Sequence, residues 1–189
     1  MALRERARNR ARERLEMLAR AGLDAEQARR AAIDTLRPVV GFDRWCWPLT
    51  DPGSALSTSG IAEFDLWAEL PRIAVLEEHG DITSKPRLAV GRRASVTLND
   101  ATGGDLSRST RWRECMQPYG VGDELMCVCR DRHGCWGSVE LMRDRADAPF
   151  DDAATQLLHE LAPTLATLVR RGLTRDASAG SPRDCSIPF

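Results

Sequence analysis

Residues 119–173 read YGVGDELMCVCRDRHGCWGSVELMRDRADAPFDDAATQLLHELAPTLATLVRRGL, and this stretch decides the fold. Residues 121–129 (VGDELMCVC) alternate in polarity, 130–134 (RDRHG) form a polar turn closed by Gly134, and 135–142 (CWGSVELM) read as the returning strand. A β-hairpin is the expectation. After the polar residues 143–147, Asp151 stands as an N-cap with Phe150 before it in the staple position. Leu157, Leu158, Leu161, Leu165, Leu168 and Val169 then recur at helical spacing and give the following helix one broad apolar face. That face needs a sheet or another helix to cover it. A hairpin with a covering helix is the nucleus of an α+β domain.

Working outward, 189 residues with 42% hydrophobic content suit one folded domain with an accessory helix or tail. A net charge of -1 leaves no overall basic footprint for nucleic acid, so any basic surface must be local. No apolar run is long enough to span a bilayer, and the Arg-rich start lacks the apolar segment of a secretory signal, which points to a cytoplasmic protein without membrane contact. Six cysteines in such a chain read as free thiols. Lys85 is the only lysine; every other basic side chain except histidine is arginine.

The local basic stretch is at the start, where Arg4, Arg6, Arg8, Arg10, Arg12, Arg14 and Arg20 surround a stripe of Leu3, Ala7, Ala11, Leu15 and Leu18. Residues 1–22 read as a helix docking by that stripe on its own domain or on a second copy, with nucleic-acid contact as the other reading. Gly22 ends it. Asp24 caps a second helix over 25–36, which Pro38 stops. Residues 41–49 (GFDRWCWPL) read as a strand with Phe42 and Cys46 on one face and Trp45 and Trp47 on the other, Asp51-Pro52-Gly53 as a turn, and 55–60 as the next strand. Residues 64–79 read as a helix bent or broken near Pro71, with His79 favourably placed at its C-terminal end before Gly80. The stretch 81–107 is weakly periodic, with a short strand or helix near 88–98 and a flexible loop over 99–105 (NDATGGD). Residues 109–117 form a short helix with Trp112, Cys115 and Met116 on one side. Beyond Gly172 the composition turns polar, and 174–189 read as a flexible tail.

Helix, two strands, helix, irregular crossover, short helix, hairpin and long helix is an order similar to that of GAF-type sensor domains. The residues narrow the resemblance. Asp51-Pro52, residues 56–60 (LSTSG), 98–104 (LNDATGG), 108–111 (RSTR), 119–125 (YGVGDEL), 135–138 (CWGS) and Pro149-Phe150 resemble the GAF-like N-terminal region of actinobacterial LuxR-type transcription regulators. Asp123-Glu124-Leu125 and Cys135-Trp136-Gly137 are the most specific pieces. The resemblance implies an α+β, GAF-like (PAS/profilin-like) twisted antiparallel sheet flanked by helices, with a sensor over 23–173. It also implies a small-molecule-sensing or signal-responsive, non-catalytic role in regulating transcription, as a homodimer through the terminal helices. Two departures are visible. Met126 stands where that family carries a basic residue, and the helix-turn-helix that follows the sensor in those regulators is absent here, so direct DNA binding is not expected.

A pocket between sheet and crossover helices would be lined by Trp45 or Trp47, Trp67, Trp112, Met116, Tyr119, Met126 and Trp136, a mainly apolar set of the kind that small-molecule sites use. Aromatic side chains filling a core would look the same. Which ligand or cofactor it would hold is not readable. Cys127 and Cys129 share a strand face, Cys135 lies across the turn and His133 in it, so these three thiols are the redox candidates. Cys-x-Cys is not a zinc spacing, and no metal is expected. Buried, inert thiols are the plainer reading. A cysteine-based redox sensor, or a thiol reductase of the kind that GAF folds include, is the alternative function. No nucleophile elbow, phosphate loop or paired-carboxylate motif points to other catalysis. His159 is expected on the solvated edge of the last helix.

Overall fold

The computed structural model describes residues 2–63 and 67–180, apart from the side chains of Ala2, Trp67 and Glu78. Among these, five strands form one antiparallel sheet in the order β2-β1-β5-β4-β3. They are β1 (Arg44–Thr50), β2 (Ser57–Ala62), β3 (Ser95–Thr97), β4 (Val121–Asp131) and β5 (Gly134–Asp144). The hairpin expected from the sequence is its centre. β4 and β5 join through Arg132 and His133, with Asp131 opposite Gly134 and Arg130 opposite Cys135.

Side chains alternate across a strand, and here each parity has its own cover. Leu125, Cys127 and Cys129 of β4, Val139 and Leu141 of β5, and Trp45, Trp47 and Leu49 of β1 enter one large core with three helices, α1 (Ala2–Leu18), α2 (Ala25–Val40) and α6 (Asp152–Ser178). The other parity is covered by the crossover. It consists of a helical turn Trp67–Glu69, α3 (Leu70–Glu78), α4 (Lys85–Val90), α5 (Leu98–Thr102) and a π-helical turn Trp112–Met116. A smaller apolar cluster of Ile73, Leu98, Trp112, Cys115, Met116, Val121 and Met142 lies there.

α6 is held as its sequence requires. Asp151 accepts the Ala154 N–H at 2.8 Å, Phe150 is buried in the helix-side core under the Arg143 guanidinium, and all six periodic apolar residues are buried. Asp151→Ala is expected to cost about 1 kcal/mol in urea unfolding, and Asp151→Asn much less, because the amide oxygen still caps. α1 docks in cis through Ala11, Leu15 and Leu18, while Leu3 near its start is 80% exposed. No described helix is long and apolar enough to cross a membrane.

Several boundaries differ from the sequence reading. α2 passes through Pro38 and ends at Gly41 (φ 69°), because a proline in the last turn forfeits one backbone bond while Leu36 and Val40 stay buried. Phe42 precedes β1 rather than alternating within it, and packs with Trp45 and Trp47 instead of on the face of Cys46. Pro71 sits in the first turn of α3, where its missing N–H costs nothing; residues 64–66 of that expected helix lie outside the described residues. The loop expected over 99–105 begins as α5, capped by Thr97 and closed by left-handed Gly103. α6 continues to Ser178, so 174–178 are helical rather than tail: Asp176 accepts the Ala25 N–H at 3.3 Å, and Thr174 and Ser178 bond back to carbonyls one turn earlier. Residues 181–189 of the expected tail lie outside the described residues.

Candidate functional site

The sheet face under the crossover carries a buried ionic network. β4 and β5 present Glu124 and Glu140 on the same parity as Met126, Met142 and Ser138, and Cys46 of β1 lies opposite Glu140 in the ladder. The crossover supplies Glu77 from α3, Asp81 and Thr83 from the following loop, Lys85 from the first turn of α4, and Arg111 before the π-helical turn.

Lys85 Nζ lies 2.6 Å from Glu77 Oε2 and 3.4 Å from Glu140 Oε1. Glu140 also accepts from the Ser138 hydroxyl at 2.7 Å and the Cys46 thiol at 3.0 Å. Arg111 grips both oxygens of Glu124, one at 3.0 Å, and donates to Thr83 Oγ1 at 2.8 Å. Asp81 accepts from Ser109 Oγ at 2.7 Å and the Thr110 N–H at 3.0 Å, with Oδ2 3.8 Å from Arg111 Nε. None of the six charged side chains is more than 7% exposed. Among the described residues four carboxylates thus face two cations, an excess of two negative charges in a buried layer.

Burial works to raise the Glu140 carboxyl, but Lys85 and Arg111 outweigh it and hold the group below its ordinary range. At Glu124 burial prevails over Arg111, and the carboxyl is pushed up. Burial alone would lower Lys85; Glu140 and Glu77 overcome it and keep the ammonium charged. The Cys46 thiol is driven well up by burial and by Glu140, so it is a protonated donor. Ion pairs this deep contribute little net stability compared with apolar packing of the same volume. Their cost is the physical reason to look for function at this face.

The residues expected to line one pocket are divided between two faces. Trp112 and Met116 belong to the crossover cluster, where Trp112 Nε1 donates to the Val121 carbonyl at 3.0 Å. Met126 is buried on that sheet face, and the Tyr119 hydroxyl at the edge donates to Glu69 at 3.1 Å. Trp45 and Trp47 lie on the opposite face in the helix-side core, and half-buried Trp136 packs against the same core with its Nε1 3.2 Å from Asp131. The Trp67 side chain lies outside what is described. A cavity of about 240 Å³ opens between α1, α2 and α6, lined by Leu18, Leu23, Leu168 and Gly172 among others, and it shares no residue with the expected set.

Cys127, Cys129 and Cys135 are free and buried in the helix-side core. Cys129 occupies the irregular step between Val128 and Arg130, so Arg130 rather than Cys129 faces Cys135. The Cys127 thiol donates to the Leu158 carbonyl at 3.3 Å, and burial pushes Cys127 and Cys129 well up, away from thiolate. Among the described residues no group of three His, Cys, Asp or Glu could hold a metal. In a Cys185→Ser protein, thiol titration under native conditions is expected to be slow at all five described cysteines and fast after denaturation; a rapid native phase would overturn this. His159 is tied to the fold rather than merely solvated, its Nδ1 accepting the Ala94 N–H at 3.1 Å.

The sequence reading passed over Glu77, Asp81, Lys85 and Glu140 as site residues, and met Arg111 and Glu124 only inside the resemblance. Two signals were present. Glu124 and Glu140 are charged residues within otherwise apolar strand runs, and Lys85 is the only lysine in the chain.

No protein-family model and no curated protein matches the sequence. Solved structures do match. The GAF domain/HD domain protein of Geobacter sulfurreducens aligns with 78% of this chain and 93% of its own, at 17% identity and a TM-score of 0.50. The fold is GAF-like. Escherichia coli SdiA, a LuxR-type regulator, aligns over 87% of this chain at 15% identity and a TM-score of 0.50, and the chain spans 64% of its length. Likeness at such identities shows the GAF-like fold alone, and no sequence match supports the narrower resemblance to actinobacterial LuxR-type regulators.

Proposed function

We propose that this GAF-like chain is a signal-sensing domain of a transcription regulator, taking a small molecule between the crossover and the sheet and passing the change to α1, α2 and α6. The observation that carries the reading is the network of Glu77, Asp81, Lys85, Arg111, Glu124 and Glu140, which fastens the crossover to the sheet by polar bonds where apolar packing would serve stability better. A ligand that rearranges those bonds moves the crossover. β4 and β5, which carry Glu124 and Glu140, pack by their other parity against α6. The exposed Leu3 and Met17 of α1 then offer the helix layer a surface for a second copy. Free thiols suit a reducing, cytoplasmic setting.

The test is native mass spectrometry of the protein purified from its own host, set against its denatured mass. A non-covalent excess that disappears in the Glu140→Gln protein is the expected result. An unliganded native mass, with unchanged hydrogen exchange in α3 and α4 on addition of a host metabolite extract, would sink the sensor reading.

A further inference from the structure

We infer that the network on the sheet face is the binding site for a small organic cation, a primary ammonium carrying an acceptor oxygen, such as an amino alcohol. This rests on the sensor reading above and names the class of molecule sensed.

Charge is the first argument. Among the described residues, Glu77 of α3, Asp81 of the loop, Glu124 of β4 and Glu140 of β5 surround Lys85 of α4 and Arg111, and the Cys46 thiol of β1 donates to Glu140. Each carboxylate has a cation within 4 Å, but among the described residues carboxylates outnumber cations by two, and uncompensated charge so deeply buried is among the most costly features a fold can carry. An anion would worsen the excess and a neutral molecule would leave it; a cation removes part of it.

The second argument is independent of charge. Among the described residues three buried side-chain polar atoms have no hydrogen-bond partner; Trp47 Nε1 lies in the helix-side core, and the two on the crossover are Arg111 Nε and Ser84 Oγ. The first is a donor inside the network, 3.8 Å from the nearest oxygen of Asp81. The second belongs to the residue between Thr83 and Lys85, both members of the network. Buried polar groups are nearly always satisfied, so an unmet donor beside an excess of carboxylates marks a place for a molecule with an acceptor as well as a charge. Lys85 shows the geometry that an ammonium takes here, shared between a crossover carboxylate and a strand carboxylate.

The experiment uses ethanolamine as probe, with methylammonium, acetamide and acetate beside it. Ethanolamine is expected to raise the melting temperature more than methylammonium, and acetamide and acetate not at all. Calorimetric titration is expected to show ethanolamine binding more tightly than methylammonium. Ser84→Ala, which removes only an unpartnered hydroxyl, is expected to keep the fold and to erase the advantage of ethanolamine over methylammonium. Stabilisation by acetate or acetamide equal to that by ethanolamine would overturn the inference. A neutral or anionic molecule in the native mass spectrum would overturn it while leaving the sensor reading intact; an empty native mass with an immobile crossover counts against the sensor reading itself.

Discussion

Arg111→Met is expected to lower the free energy of unfolding by about 3–5 kcal/mol, the largest single effect of any substitution in the network. Glu124 is 1% exposed and its two oxygens are both held by Arg111. With the guanidinium gone, the carboxylate stays in the dry layer with no cation against it. The cost is that stranded charge rather than the worth of the ion pair. The double substitution Arg111→Met with Glu124→Leu is therefore expected to recover most of the loss, since it replaces the pair by apolar groups of similar size. Asp81 keeps Ser109 and the Thr110 N–H in either protein. Urea unfolding of the two variants beside the parent decides it. A single variant within about 1 kcal/mol of the parent would mean that Glu124 is already protonated or wetted there. A double variant as unstable as the single one would mean that Arg111 acts through Thr83 and Asp81 instead.

The same pair shows what a sequence can disclose. The hairpin and α6 are local objects, and their periods of two and of about 3.6 are written in consecutive residues. Which parity of β1 meets the helices is a different matter. Both sheet faces are covered, so Trp45 and Trp47 look no more like helix-side core than Cys46 and Pro48 look like crossover side. The network is less legible still, because Lys85 and Glu140 are 55 residues apart and Arg111 and Thr83 are 28 apart. Only the fold brings them together. The end of α6 failed for a local reason: polar composition suggested a tail, while Asp176 reaching the first N–H of α2 gives residues 174–178 a tertiary partner. Asp123, inside the most specific part of the resemblance, proves to be a junction. It accepts the N–H groups of Asn99, Glu124 and Phe150 at 2.8–3.0 Å and so ties α5, β4 and the approach to α6 together.

Cys135-Trp136-Gly137, the other specific piece, has a physical requirement at its last residue, and Gly137→Ala is expected to cost about 3 kcal/mol. Pro48 lies within β1, where it can donate no ladder bond, and the β1–β5 pairing recorded at Cys46 and Glu140 resumes at Leu49 and Gly137. A Cβ on residue 137 would stand 2.4 Å from the Pro48 carbonyl oxygen and 3.4 Å from the Leu49 Cα, contacts with backbone that no rotamer relieves. The φ of Gly137 is 153°, in the region that L side chains avoid, so strain adds to the clash. Gly60 is the control. It faces Pro48 from the other side, in β2, and a Cβ there would come no nearer than 3.3 Å to the Pro48 Cα with an ordinary φ. Gly60→Ala is expected to cost below about 1 kcal/mol. The difference between the two variants in urea unfolding measures how closely β1 and β5 approach beside Pro48. Because Cys46 and Glu140 are the neighbouring pair in that ladder, Gly137→Ala is also expected to disturb the Cys46 thiol bond to Glu140. Faster native alkylation of Cys46 in Gly137→Ala than in Gly60→Ala would show that the strand geometry fixed by one glycine holds the ionic layer in place. Equal rates would confine the role of that glycine to the strand crossing itself.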